Sequence, residues 1–191
     1  MTALLPSQLL YIAAQFASKD EWKGIITAIH VERNENQISI FSTDGFRAFR
    51  VSFDINENYY MDEEELTLDA TSFKKRIPKG KVTLIENEMA TVKDSKNDIV
   101  VSTPYKITEG TYPNINQIWP DTFHNESKAP ITFDSSLLGP FLTEMSRYGV
   151  KGHVKMEFNT PLTPLQFSGT IEAFGDTFEV EFLLMPIQVR E

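Results

Sequence analysis

Cysteine is absent from this 191-residue chain, which excludes disulfides and thiolate metal sites and fits a reducing cytosol. No apolar run is long enough to span a bilayer, and the N-terminus shows no basic leader with a cleavage site, so a cytoplasmic protein with no membrane partner is expected. Histidine is scarce: the three present, His30, His124 and His153, lie far apart with no metal-ligand spacing. Positive charge is also in deficit, with 18 basic against 27 acidic residues and a net charge of -9. A surface basic all over is thereby excluded, and any contact with nucleic acid must use a local patch or a topological arrangement. There is no glycine-rich phosphate loop and no nucleophile motif. The acidic run "MDEEE" (61–65) lacks the interspersed ligands of a hard-metal site and reads as a solvated loop. A protein that is not an enzyme and needs no cofactor or metal is the expectation.

What the chain does have is an ordinary globular composition, 41% hydrophobic and 24% charged, with enough length to bury a real core. One phrase recurs three times: β-rich residues, a polar cap, then an apolar helical face. It reads "ALLPSQLLYIAAQFA" (3–17), "LTLDATSFKKRI" (66–77) and "ITFDSSLLGPFL" (131–142). In each a strand ends at Asp, Ser or Pro, residues that start helices. Apolar positions then follow helical spacing, at Leu9, Ile12, Ala13 and Phe16 in the first pass and Leu138, Phe141, Leu142 and Met145 in the third. Alternating segments come after each helix, from "GIITAIHVE", "QISIFST" and "FRAFRVSF" to "VKMEFN", "PLQFSG" and "FEVEFLLMP". Turns such as Asn34-Glu35-Asn36 and Asp94 to Asp98 separate them. The units begin near Thr2, Glu65 and Ala129, a period of about sixty residues and longer than the common solenoid repeats. Between the last two, "DTFHNESKAP" (121–130) reads as a polar linker.

Three short tags carry a family resemblance. "STDGFRAFR" (42–50) resembles the Thr-Asp-Gly-His-Arg-Leu signature of bacterial DNA polymerase sliding clamps, the DNA polymerase III beta subunit family. "EGTYPNINQIWP" (109–120) resembles the segment that ends the middle domain of those clamps. "FLLMPIQV" (182–189) is similar to their C-terminal Tyr-Val-Val-Met-Pro-Met-Arg-Leu, and the three stand in the family's order. The resemblance implies an α+β DNA-clamp fold of βαβββ half-domain repeats, with antiparallel sheets outside and helices facing the ring interior. Residues 1–125 correspond to the family's two-unit middle domain. Residues 126–191 correspond only to the second half of its last domain, so this chain resembles a shortened or phage-like relative with three half-domain units where a bacterial subunit has six.

The same resemblance implies a function: a processivity factor that encircles duplex DNA and tethers a DNA polymerase or other DNA enzyme through a hydrophobic peptide-binding groove. By position, that groove takes Ile26, Thr43, Gly45, Phe46, Arg47, Ala48, Pro120, Leu137, Leu162, Pro164, Leu183, Leu184, Met185, Pro186 and Ile187. The chemistry suits an adaptable peptide site, because Met is flexible and polarizable and apolar anchors hold a few side chains of an extended segment. Departures from the family are Phe46 for histidine, Ala48 for leucine and Asp134 for asparagine. Pro140 falls early in the third helix and is tolerable only if it lies within the first turn.

DNA contact is expected from the basic run "KKRIPKGK" (74–81), through Lys74, Lys75, Arg76, Lys79 and Lys81, with Arg147 and Lys151 added from the third helix. Such contacts would be sequence-independent and made to phosphates. The alternative is a clamp mimic that does not encircle DNA but binds clamp-interacting peptides or the host clamp to regulate replication or transcription. The third unit, lacking its internal partner, would expose Leu138, Phe141, Leu142 and Met145, and a homotetramer is expected over a dimer.

Overall fold

The computed structural model describes residues 1–75, 80–124, 131–160 and 162–187, except for the side chain of Lys151. The chain opens with strand β1 (Thr2–Pro6), helix α1 (Ser7–Phe16), a 3-10 segment (Glu21–Thr27) and the meander β2 (Ala28–Arg33), β3 (Gln37–Thr43) and β4 (Arg47–Asp54). After the short β5 (Tyr60–Met61) come β6 (Glu65–Asp69), a 3-10 turn (Ala70–Phe73) and a second meander, β7 (Val82–Glu86), β8 (Met89–Lys93) and β9 (Ile99–Pro104). The last unit holds α2 (Ser135–Tyr148) followed by β10 (Lys155–Glu157), β11 (Leu165–Ala173) and β12 (Asp176–Leu184).

These strands form two antiparallel sheets, one of five strands in the order β5-β1-β7-β8-β9 and one of seven in the order β10-β11-β12-β4-β3-β2-β6. The first two units exchange their leading strands: β1 pairs with β7 of the second unit, and β6 pairs with β2 of the first. The third unit joins differently. Its β12 lies against β4 in the register Leu184 to Arg47 through Val180 to Val51, so its meander extends the first unit's sheet. This is a mixed α+β architecture of antiparallel sheets with few helices.

α1 begins without a side-chain cap, because Pro6 occupies the N-cap position. The orphan N–H of Ser7 donates instead to the carbonyl of Lys81 at 3.1 Å, and the Ser7 and Thr83 hydroxyls meet at 2.8 Å. Strand pairing thus replaces the missing cap. The α1 residues at helical spacing, Leu9, Ile12, Ala13 and Phe16, are buried together. Phe16 stacks on Phe49 at 5.4 Å and packs against Phe182 at 5.3 Å, while Phe141 of α2 stacks on Phe182 at 5.0 Å. One apolar core therefore runs through the first and third units.

Four expectations are corrected. At the place where the second unit was expected to have a helix, the described residues form the 3-10 turn Ala70–Phe73. Thr71, Ser72 and Phe73 are weak helix formers, and Pro78 disfavours the helical conformation just before it. The residues 131–134 form no strand; the Thr132 carbonyl accepts the Ile187 N–H at 2.9 Å and the Asp134 carbonyl accepts the Leu137 N–H at 3.1 Å. A leading strand needs a unit to exchange with, and the third unit has none in this chain. Pro140 sits at the sixth position of α2, beyond the first turn. The helix tolerates it because Leu138, Phe141 and Met145 are buried against the sheet, a gain that outweighs the lost bond to the Ser136 carbonyl. That burial is the fourth correction. Of the face expected to lie open and to drive a homotetramer, only Leu142 is exposed, at 44%. The third unit's own β11 and β12 cover the rest, with Phe141 packed on Phe167 and Phe182, so the premise for preferring a tetramer falls away.

Candidate functional site

The loop between β3 and β4 is shaped by its own polar atoms. Asp44 Oδ1 accepts the N–H groups of Phe46 and Arg47 at 3.0 and 3.1 Å, and the Thr43 hydroxyl accepts from Gly45 N–H while donating to the Arg47 carbonyl. Gly45 adopts φ +92°, a left-handed conformation that glycine takes without a Cβ penalty. The loop therefore turns within three residues and presents Phe46, which is 57% exposed.

The β4–β12 pairing delivers the end of β12 to this loop. Past the Leu184–Arg47 pair, the Met185 N–H donates to the Phe46 carbonyl at 3.0 Å. Ile187 N–H then bonds to Thr132, just before α2. On the other side of β12, Leu165 pairs with Leu184, which brings half-buried Pro164 beside Met185. Leu162, Met185 and Ile187 are exposed, and Pro186 is half-buried. Phe46, Pro164, Met185 and Ile187 thus share one neighbourhood, and Ile26 touches it, since its Cδ1 would lie 3.9 Å from a Cβ on Gly45.

The other residues expected at the groove face inward or lie at its margin. Ala48 and Leu183 are buried on the outer face of the seven-stranded sheet, in a second apolar cluster with Phe41, Tyr112, Ile115 and Trp119. Leu184 is buried in the main core, and Thr43 is buried at the end of β3. Pro120 is half-buried at the end of the segment that covers the second cluster, and Leu137 is half-buried in the first turn of α2. That covering segment is anchored by Tyr112 stacking on His30 at 4.6 Å and by Arg50 lying 4.4 Å over the Trp119 ring. Burial pushes the Tyr112 phenol above its ordinary pKa of 10.0.

Two neighbours of the loop were missed by sequence reasoning. Lys23 Nζ donates to the Asp44 carbonyl at 2.8 Å and lies 4.8 Å from the Phe46 ring centre. Trp22 beside it is 97% exposed. A tryptophan inside the polar stretch "SKDEWKG" was the available signal. Two surface depressions lie elsewhere, one along β11 and β12 and one between α1 and the five-stranded sheet.

The basic run flanks α1. Lys74 accepts a bond from the Gln15 side chain near the end of that helix, at 3.4 Å, and Lys81 accepts the Ser7 N–H at its start. Lys75 is exposed, and Lys74 and Lys81 are half-buried. Arg76, Lys79 and the Lys151 side chain lie outside the described residues. Arg147 is exposed on α2 and pairs with the buried Glu144 at 3.2 Å. α1 itself, Ser7–Phe16, contains no charged residue.

No protein-family model matches this chain, and no curated protein matches it. Solved structures do. The DNA polymerase III beta chain of Streptococcus pneumoniae superposes with a TM-score of 0.62 at 15% identity, covering 99% of this chain and 65% of that one. The polymerase beta subunit of Streptococcus pyogenes gives 0.62 at 15% identity, over 97% and 65%. The DNA polymerase sliding clamp of Bacillus subtilis gives 0.60 at 12% identity, over 100% and 65%. The fold is that of the sliding clamps, and the chain spans less than two-thirds of the length of each of these three.

Proposed function

We propose that this chain, which has the fold of the bacterial sliding clamps, is a non-enzymatic, clamp-like processivity factor of the cytoplasm. It encircles duplex DNA as a homo-oligomer and tethers a DNA polymerase or other DNA enzyme. Residues 1–125 act as a two-unit clamp domain and 126–191 as a half-domain that completes the peptide groove. The observation that carries the groove is the bond from Met185 N–H to the Phe46 carbonyl, which sets the Met185-Pro186 end against the Thr43 to Ala48 loop. Around that bond, Phe46, Met185 and Ile187 keep large apolar side chains in solvent. Exposed apolar groups clustered on a rigid sheet end are what a short linear peptide needs for its few anchors.

A fluorescent ten-residue peptide carrying the bacterial clamp-binding motif tests this by anisotropy. Micromolar affinity is expected. Truncation before Met185 should abolish it while circular dichroism shows the fold intact. Unchanged affinity in the folded truncation would defeat the groove.

A second reading has its own support. α1 is uncharged, and α2 carries one acidic and one basic residue, Glu144 and Arg147. A helix surface so poor in positive charge favours a clamp mimic that binds such peptides, or the host clamp, without enclosing DNA. Retention on closed circular DNA with loss from linear DNA decides for the ring; loss from both decides for the mimic.

A further inference from the structure

Arg47 belongs to the loop just described, yet its guanidinium points away from solvent, with the side chain 9% exposed. Its Nε donates to Asp44 Oδ2 at 2.8 Å, one Nη to the Leu137 carbonyl at 2.9 Å and the other Nη to the Gln15 carbonyl at 3.3 Å. Beneath it lies the Phe16 ring, 5.0 Å from Cζ to the ring centre. Gln15 is in the last turn of α1, where carbonyls lack helical partners and carry partial negative charge. Leu137 is in the first turn of α2. One planar fork therefore joins the β3–β4 loop, the end of α1 and the start of α2.

We infer that Arg47 is the positioning residue of the groove: it sets the wall formed by Phe46 and Met185 from the inside, rather than reaching a bound peptide. The inference rests on the groove reading above and gives that groove its mechanical support. Three features argue for it. Each of the three guanidinium nitrogens donates to an acceptor on a separate element, and the face of the group lies against Phe16. The backbone of the same residue pairs with Leu184, the last residue of β12, so any shift of Arg47 moves the point from which Met185 departs. A lysine ammonium, a single point of charge, cannot span these acceptors as the fork does.

The test is R47K in the full chain, with two readouts. Amide hydrogen exchange in the free protein should show Met185 and Ile187 losing protection by about tenfold or more, since their bonds to Phe46 and Thr132 depend on the wall being in place. Phe182, inside β12, should keep its protection. Peptide affinity should fall by about tenfold as well. D44N, which removes the charge holding Nε, should give the same selective pattern at smaller amplitude and serves in place of R47K if that variant does not fold. Equal loss of protection at Phe182 and Met185 would mean a merely structural residue and overturn the inference. Weakened peptide binding with unchanged exchange would mean a direct peptide contact and also overturn it. If the wild type binds no peptide, the groove reading fails, while the exchange pattern still decides whether Arg47 positions the wall.

Discussion

Asp134 is exposed at the N-cap of α2, where its carboxylate accepts from Ser136 N–H at 2.8 Å. Hydrogen bonds from the Ser136 side chain and backbone hold its carboxyl below the usual value of 3.8. A depressed folded-state pKa means the carboxylate contributes stability that is fully present above 3.8 and is lost as pH falls through the lower folded value. Asn caps about as well without titrating. The stability of wild type relative to D134N should therefore be constant above that pH and decline below it, as urea melts at a series of acid pH values would show. A pH-independent difference would mean that Asp134 does not cap as a carboxylate. This cap was legible in the sequence because it depends on residues two apart. The Arg47 fork was not, because its carbonyl partners lie 32 and 90 positions away.

The elements meet at β12. Its inward side chains Phe178, Val180, Phe182 and Leu184 enter the main core, while Leu183 on the opposite face joins the second cluster. Phe182 is fully buried and touches Phe16 of α1, Phe141 of α2 and Phe167 of β11. Removing it leaves a cavity where three elements converge, so F182A should cost about 3–5 kcal/mol. Against a total stability of about 5–15 kcal/mol, that is a large fraction. The urea midpoint measures it, and a loss below about 1 kcal/mol would mean that the third unit is only loosely docked on the first. The alternating pattern of β12 was readable from its sequence, but its neighbour β4 was not. Alternation states that a strand has an apolar face and leaves its pairing partner open.

For the molecule as a whole, the placement of charge decides how DNA could be held. The described ends of the basic run lie at the two ends of α1, on the side of the sheet where the helices pack. Weak, sequence-independent duplex binding that falls steeply with salt is expected, and K74A/K75A/R76A should weaken it and flatten its salt dependence while leaving peptide affinity unchanged. Filter binding across a salt series checks this. A triple variant that binds duplex DNA like wild type would remove the basic run from the DNA-facing surface.

The sequence by itself determined what depends on near neighbours: the apolar spacing of α1 and α2, the Asp69 and Asp134 caps, and the turns at 34–36 and 94–98. Its three tags also pointed to a Met185 end held beside the 43–48 loop. Only the tertiary structure decided that the third meander continues the first unit's sheet, that α2 runs through Pro140, and that a 3-10 turn stands at Ala70–Phe73 where the second unit was expected to have a helix. Each of these outcomes turns on long-range burial. The core formed by Phe16, Phe49, Phe141 and Phe182 outweighs a lost helical bond at Pro140 and joins the third unit to the first. Local propensity carries no information about which distant surface will do the covering.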